Sequence, residues 1–280
     1  MPELPEVESL VRDVRNICKG HTFTDIEFLR PNIRDELDQS GLNQVVKNQK
    51  VVDVIRRGKY MLIGTTNGAI GVHLGMSGKF VFKEKNDPMM PHTHVVFYLI
   101  DSKQKSYMFH YVDPRRFGRV FPMTQSEYSD LSHPYLKALG VEPLSSDVDL
   151  ANVLESAAHG KKMPVKNMIM NSAIVVGVGN IYASEALWRA KISPLRLAGS
   201  LKTKEIKLLS NEIKFVLQRS IDAGGTTFRD YRNSANQPGN FQVQLAVYAR
   251  DGEPCIRCKG IVEKLVLAGR SSFFCPKCQK

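Results

Sequence analysis

The hydrophobic pattern changes period twice along this chain. Over Pro5 to Lys19, the residues Val7, Leu10, Val11, Val14 and Ile17 recur at three- and four-residue spacing, which predicts one amphipathic helix. Pro5 suits its first turn and Gly20 its C-cap. The period then shortens. The runs HTFTDIEFL, QKVVDVIRRGKYMLIGTTNGAIGVHLGMSGKFVF, HTHVVFYLI and KSYMFHYVDPRRFGRVF are β-branched, aromatic and partly alternating, as strands are. Asn67-Gly68 between two such runs marks a hairpin. A polar stretch from Thr124 to Asp149 reads as a linker. Helical spacing returns from Leu150 to Asp222, in VKNMIMNSAI, NIYASEALWRAKI and TKEIKLLSNEIKFVLQRSI. The glycine-rich run GGTTFRDYRNSANQPGNFQ has the composition of a functional loop. A short β and cysteine module ends the sequence.

Composition adds a partner to this outline. The 280 residues suggest two domains of ordinary size, and a hydrophobic fraction of 42% supplies real cores. A net charge of +11 favours an anionic partner, nucleic acid first and a membrane surface second. No apolar run reaches the length of a membrane span, and no signal-peptide pattern opens the sequence. The expected compartment is the cytoplasm, where thiols stay reduced and cysteines serve as ligands.

The sharpest local signal is Cys255-Ile-Arg-Cys258, then sixteen residues, then Cys275-Pro-Lys-Cys278. Two such pairs fit a tetrahedral four-sulfur zinc site, against the alternative of disulfides or a redox pair. A closed site of this kind is structural, and it stiffens a hairpin turning near Ala268-Gly269. No organic cofactor is expected. Arg257, Lys259, Lys264, Arg270, Lys277 and Lys280 make the module basic, which suits a phosphate-facing surface. The fifth cysteine, Cys18, falls on the first helix and reads as a core thiol.

The run AIVVGVGNIYA nearly matches a dinucleotide fingerprint. Tyr182 at the third glycine position is too large for it, and the flanks are helical. Gly177 and Gly179 instead permit a tight turn between helices. Asn180 and the N–H groups of the following helix could then grip a phosphate, although a plain interhelical turn fits the same residues.

Together these segments resemble the formamidopyrimidine-DNA glycosylase family, from end to end. The resemblance is carried by MPELPEVE at the start, RRGKYML at 56–62, HLGMSG at 73–78 and DPRRFG at 113–118. It continues in LGVEPL at 139–144, GVGNIYASEALW at 177–188, GGTTFRDY at 224–231 and the terminal GEPC…GRSSFFCPKCQK. It implies an α+β fold, an N-terminal helix on a β-sandwich followed by a helical helix–two-turns–helix domain and a zinc-finger hairpin. The expected boundaries are 1–123 for the helix and sandwich, 124–149 for the linker and 150–222 for the helical domain. A lesion-recognition loop at 223–245 and the zinc finger at 246–280 complete the chain.

The resemblance also implies the chemistry. A bifunctional glycosylase and abasic-site lyase of base excision repair removes oxidised purines such as 8-oxoguanine from duplex DNA. Pro2, once Met1 is removed, is the implied nucleophile through a Schiff base, and Glu3 the implied general acid and base. An α-amino group has a pKa near 8, so much more of it is neutral at pH 7 than of a lysine. Glu6 either lines the site or ties the helix down. Lys59 is implied in β-elimination and Arg270 in gripping the phosphates and in δ-elimination. His92, Arg115, Lys161 and Asn180 match DNA-contacting positions. Met76, Arg115 and Phe117 match the trio that fills the gap left by a flipped nucleotide, with Phe117 as wedge. Thr226, Thr227, Phe228, Arg229, Asp230 and Tyr231 match the lesion pocket, and Asn240 stands where many relatives carry an aromatic residue. The implied partner is damaged double-stranded DNA, bound by a monomer without membrane attachment. An endonuclease VIII-like enzyme for oxidised pyrimidines and a non-catalytic zinc-containing DNA-binding protein are the alternatives.

Overall fold

The computed structural model describes residues 1–84, 86–225 and 245–280. They form two compact units, one from Met1–Ala138 and one from Leu139–Ala223 with the C-terminal segment to Lys280.

The first unit runs α1 (Leu4–Cys18), β1 (Thr22–Phe28), α2 (Gln39–Val46), β2 (Gln49–Arg57), β3 (Tyr60–Thr65), β4 (Gly68–His73), β5 (Lys79–Glu84), β6 (Thr93–Ile100), β7 (Ser106–Val112), β8 (Arg119–Met123) and α3 (Gln125–Asp130). The strands pair antiparallel in the order β5-β7-β6-β1-β2-β3-β4-β8. Two four-stranded halves meet at β1 and β2 through two residue pairs, Thr22↔Lys50 and Phe23↔Gln49. Their inward side chains, including Phe23, Val54, Ile63, Phe97 and Phe109, share one core with Val7, Leu10, Val11 and Val14 of α1. This is the helix on a sandwich. Each fully buried side chain of this size contributes about 1.5–3 kcal/mol.

Polar contacts fix how α1 lies on β2. Arg15 Nε donates to the Val54 carbonyl at 2.7 Å and pairs with Asp53, which also receives Lys19. The Glu8 carboxylate accepts from Arg12 Nε and from Arg56 Nε, each at 2.9 Å. Burial pushes the Glu8 carboxyl up, but the Arg56 and Arg12 guanidiniums outweigh it and hold its pKa below the ordinary glutamate value. Arg56 also donates to the Gly58 carbonyl at 3.1 Å. Helix α1 is thereby tied to the tight β2–β3 turn, where Gly58 takes a φ of +57°.

The second unit contains α4 (Leu150–Ala158), α5 (Val165–Ile169), α6 (Asn180–Ala190), α7 (Thr203–Asp222) and the hairpin β9 (Glu263–Leu267) with β10 (Arg270–Phe274). Val165, Ile169, Ile181, Leu187, Leu209, Ile213 and Leu217 are among its buried residues. Tyr182 is fully buried, and its hydroxyl bonds to Ser220 on α7 at 2.6 Å. The position a dinucleotide fold keeps for glycine thus holds a packing tyrosine between two helices. Among the described residues, no helix is long and apolar enough to cross a membrane.

Candidate functional site

In the first unit three of the candidate residues, Met76, Arg115 and Phe117, line one groove of ≈ 1040 Å³. Met1, Asn32, Arg34, His73, Met76, Arg115 and Phe117 are among its lining residues. Met76 is 37% and Phe117 43% exposed, so neither serves as core packing. The Arg115 guanidinium lies 4.9 Å from the Phe117 ring centre, a cation–π distance. Two loops carry these three residues, one between β4 and β5 and one between β7 and β8.

The N-terminal tip borders the same groove through Met1, while Pro2, Glu3 and Glu6 are buried. Glu3 is the N-cap of α1, and its backbone N–H donates to the Glu6 carboxylate at 2.8 Å. Glu6 thus holds Glu3 in place through a capping box. Lys59 follows Gly58 in the β2–β3 turn. Its charge reaches His73. Burial depresses the His73 pKa most, Lys59, Arg119 and Arg34 add to this, and the value falls to about 4. A neutral imidazole therefore lines the groove at pH 7, its Nδ1 accepting from the Gly75 N–H at 3.1 Å. His92 stands just before β6, exposed, with a φ of +64°.

In the second unit Asn180 opens α6, directly after the N-cap Gly179, and Gly177 turns the chain ahead of it at φ +83°. Its side chain is already engaged. Oδ1 accepts from Lys166 Nζ at 2.6 Å, and Nδ2 donates to the Ser271 carbonyl at 2.8 Å. Lys166, 1% exposed, also donates to Ser272 Oγ at 2.7 Å and to the Ser271 carbonyl at 3.2 Å. These bonds tie the start of α6 to β10, and Arg270 begins that strand. Arg270 is exposed and lines a pocket of ≈ 290 Å³ with Lys166, Asn167 and Met170. Lys161 is exposed in the loop between α4 and α5. Replacing Lys166 by methionine leaves buried acceptors unpaired and is expected to cost about 2–4 kcal/mol. Thermal unfolding of the variant measures this, and an unchanged melt would show that these bonds contribute nothing.

The four cysteines meet the requirements of a zinc site. Their Sγ atoms all lie within 4.8 Å of one another, and Cys255–Cys278 and Cys258–Cys275 are 4.0 Å and 3.5 Å apart. Tetrahedral Zn–S bonds of about 2.3 Å require S···S separations of about 3.8 Å. A set of four thiolates leaves no open position, so the ion is structural. Cys18 stands apart from this set, fully buried, and burial pushes its thiol up to about 12.

The lesion-pocket residues Thr226, Thr227, Phe228, Arg229, Asp230 and Tyr231, and Asn240 with them, lie outside the described residues. Sequence patterning does not single out several of the structural partners. Lys166 is one. Glu185 is another, buried in α6 and accepting from the N–H groups of Ala246, Val247 and Tyr248 at 2.9–3.0 Å. Burial raises its pKa against the pull of these donors. An acid inside the apolar run NIYASEALW is the available signal.

Comparison with known proteins places this geometry. Residues 1–120 match the formamidopyrimidine-DNA glycosylase N-terminal domain, and 139–232 the formamidopyrimidine-DNA glycosylase H2TH domain. Residues 252–280 match the zinc finger found in FPG and IleRS. A formamidopyrimidine-DNA glycosylase of Rickettsia bellii (strain OSU 85-389) is 43% identical over 282 residues, covering 100% of both chains. The MutM (Fpg) protein from Thermus thermophilus is 36% identical with a TM-score of 0.86, over 99% of this chain and 98% of that one. The Lactococcus lactis Fpg, in complex with an abasic-site-containing DNA, is 30% identical with a TM-score of 0.89, over 99% of each. Matched along its whole length in sequence and in fold, the chain belongs to the formamidopyrimidine-DNA glycosylase family.

Proposed function

We infer that this protein is a DNA glycosylase of base excision repair that removes oxidised purines from duplex DNA and then cleaves the strand as a lyase. One observation carries the reading: the N-terminal residue shares a groove with the exposed Met76, Arg115 and Phe117. A nucleotide must leave the stack before an N-terminal amine can reach its C1′ atom, at a cost of a few kcal/mol. Phe117 wedges into the gap, Arg115 offers donors to the cytosine left behind, and Met76 fills the rest. With Met1 removed, the Pro2 nitrogen attacks C1′, the N-glycosidic bond breaks, and the base departs with a proton. Glu3 protonates the opening sugar and later takes protons back. The resulting iminium acidifies the C2′ proton, whose loss expels the 3′ phosphate. Lys59 assists this step. Arg270 holds the flanking phosphates with its planar fork and assists the second elimination. His92, Lys161 and the start of α6 at Asn180 complete the backbone contacts. The protein acts as a monomer in the cytoplasm, where its zinc-binding thiols remain reduced.

A comparison of cleavage at 8-oxoguanine opposite cytosine with cleavage at thymine glycol tests the substrate class. The expected preference is for 8-oxoguanine, and a preference for thymine glycol would move the protein to the endonuclease VIII-like branch. Binding should also depend steeply on salt. Lys59, Lys161 and Arg270 alone neutralise three phosphates, so log K against log salt is expected to fall with a slope of about −3 or steeper. Fluorescence anisotropy with a labelled duplex between about 50 and 200 mM salt measures it, and a flat response would remove these contacts.

A further inference from the structure

The two loops that carry Met76 and the Arg115–Phe117 pair are interlocked through buried groups that play no part in the chemistry above. Asp113 opens the second loop and is fully buried. Its Oδ1 accepts the Ser77 hydroxyl proton at 2.7 Å, and its Oδ2 accepts from the Gly118 N–H at 2.9 Å. The Ser77 oxygen in turn accepts from the Arg115 N–H at 3.3 Å, as does Asp113 Oδ1. Ser77 is itself buried and directly follows Met76. The Asp113 backbone is held as well. Its N–H donates to the His92 carbonyl at 3.1 Å, and its carbonyl meets His94 Nε2 at 2.8 Å.

Sterics close the same joint. Gly75 adopts a φ of +60°, and a side chain there would collide with the Phe117 and Gly118 backbone. A side chain at Gly118 would collide with the Tyr111 hydroxyl and, at 2.5 Å, with the His73 carbonyl. Burying a carboxylate is costly, and hydroxyl and amide donors offset that cost only in one geometry. That geometry sets Met76 relative to Arg115 and Phe117.

We propose that Asp113 and Ser77 are positioning residues that hold the three gap-filling side chains as one rigid unit, and so set the enzyme's selectivity for the base opposite the lesion. The proposal rests on the gap-filling reading of Met76, Arg115 and Phe117. Arg115 can pair with the opposite base only if Phe117 and Met76 enter at a fixed distance from it. Loosening the joint lets Arg115 settle against a wrong base, because the placement of the donors, rather than their presence, does the discriminating.

The test is single-turnover excision of 8-oxoguanine opposite cytosine and opposite adenine, with Ser77→Ala, Asp113→Asn, Ser77→Thr and Arg115→Ala. Ser77→Ala and Asp113→Asn are expected to lower the cytosine-to-adenine rate ratio by about five- to tenfold, the scale of a small misplacement of a positioned group. Ser77→Thr keeps the hydroxyl and is expected to retain the ratio within about twofold. Thermal melts identify which variants are folded, and either loosening variant suffices for the comparison. If folded Ser77→Ala or Asp113→Asn keeps the wild-type ratio while Arg115→Ala collapses it, the positioning role is overturned and the gap-filling reading stands. If Arg115→Ala also leaves the ratio unchanged, the gap-filling reading fails and the proposal falls with it.

Discussion

Retention of Met1 is expected to abolish covalent capture of damaged DNA. Borohydride reduces the iminium between an N-terminal amine and C1′, so the active protein becomes trapped on an 8-oxoguanine:cytosine duplex. With Met1 attached, the Pro2 nitrogen is an amide without a nucleophilic lone pair, and the first bond cannot form. The loss in cleavage should be roughly 10³-fold or more, as for removal of a positioned nucleophile. Geometry adds a second obstacle. Met1 is 48% exposed and lines the groove itself, where it would stand in the path of the extruded sugar. Duplex affinity should change little, because Lys161 and Arg270, the proposed phosphate contacts, belong to the second unit. Mass spectrometry establishes the state of the N-terminus and maps the trapped adduct. Full lyase activity from chains that retain Met1, or an adduct mapped to a lysine instead of Pro2, would refute the mechanism.

Removal of zinc is expected to dismantle the C-terminal module and leave the first unit folded. Strands β9 and β10 have five residues each, too few for an isolated hairpin to persist in water. Structural zinc supplies roughly 10–16 kcal/mol of folding free energy in small modules of this kind. The damage should spread along a defined route. Arg257 donates to the Trp188 carbonyl at 3.0 Å and lies 4.1 Å from the centre of its ring. Gln279 accepts from the Cys275 N–H at 2.8 Å and donates to the Ile192 carbonyl at 2.9 Å. The end of α6 therefore depends on the finger. Trp188 is the single tryptophan of the chain and only 6% exposed. Its emission should shift to the red on chelation, as the indole meets water. Damaged-duplex affinity should fall to the non-specific level, because Arg270 loses its frame. Stripped protein that keeps both its emission and its affinity would show that the finger folds without metal.

Part of this molecule is legible in its sequence. The zinc ligands are, because each CxxC pair forms its half of the site within one tight turn. Helix α1 is, because its apolar spacing is read within a few turns; the structure sets it at Leu4–Cys18. The hairpin that Asn67-Gly68 signals does join β3 and β4, one residue off the expected turn: Thr65 pairs with Gly68, so Thr66 and Asn67 make the turn and Gly68 opens β4. The rejected dinucleotide motif shows the same locality, since the bulk of Tyr182 is enough to decide it.

Other features stay out of reach because they join distant residues. Asp113 and Ser77 lie 36 positions apart, and Lys166 reaches Ser272 across 106. In the sequence Lys166 looks like any basic residue on a helix, and only tertiary packing makes it a buried joint with three acceptors. Asn180 illustrates the converse. Its place after two glycines offers the side chain to a phosphate, but the fold engages that side chain with Lys166 and Ser271.

The sequence by itself determined the period of α1, of most strands and of the later helices, the metal-binding set and the family's motifs, since these depend on neighbours along the chain. The short helices α2 and α3, in stretches that read as β-rich and as linker, were set by the fold. Tertiary structure alone decided that Met76 and Phe117 face solvent, that His73 lines the groove uncharged, and that one buried carboxylate joins two loops. Exposure and desolvation are set by what the rest of the chain places beside a residue, and spacing along the chain does not encode them.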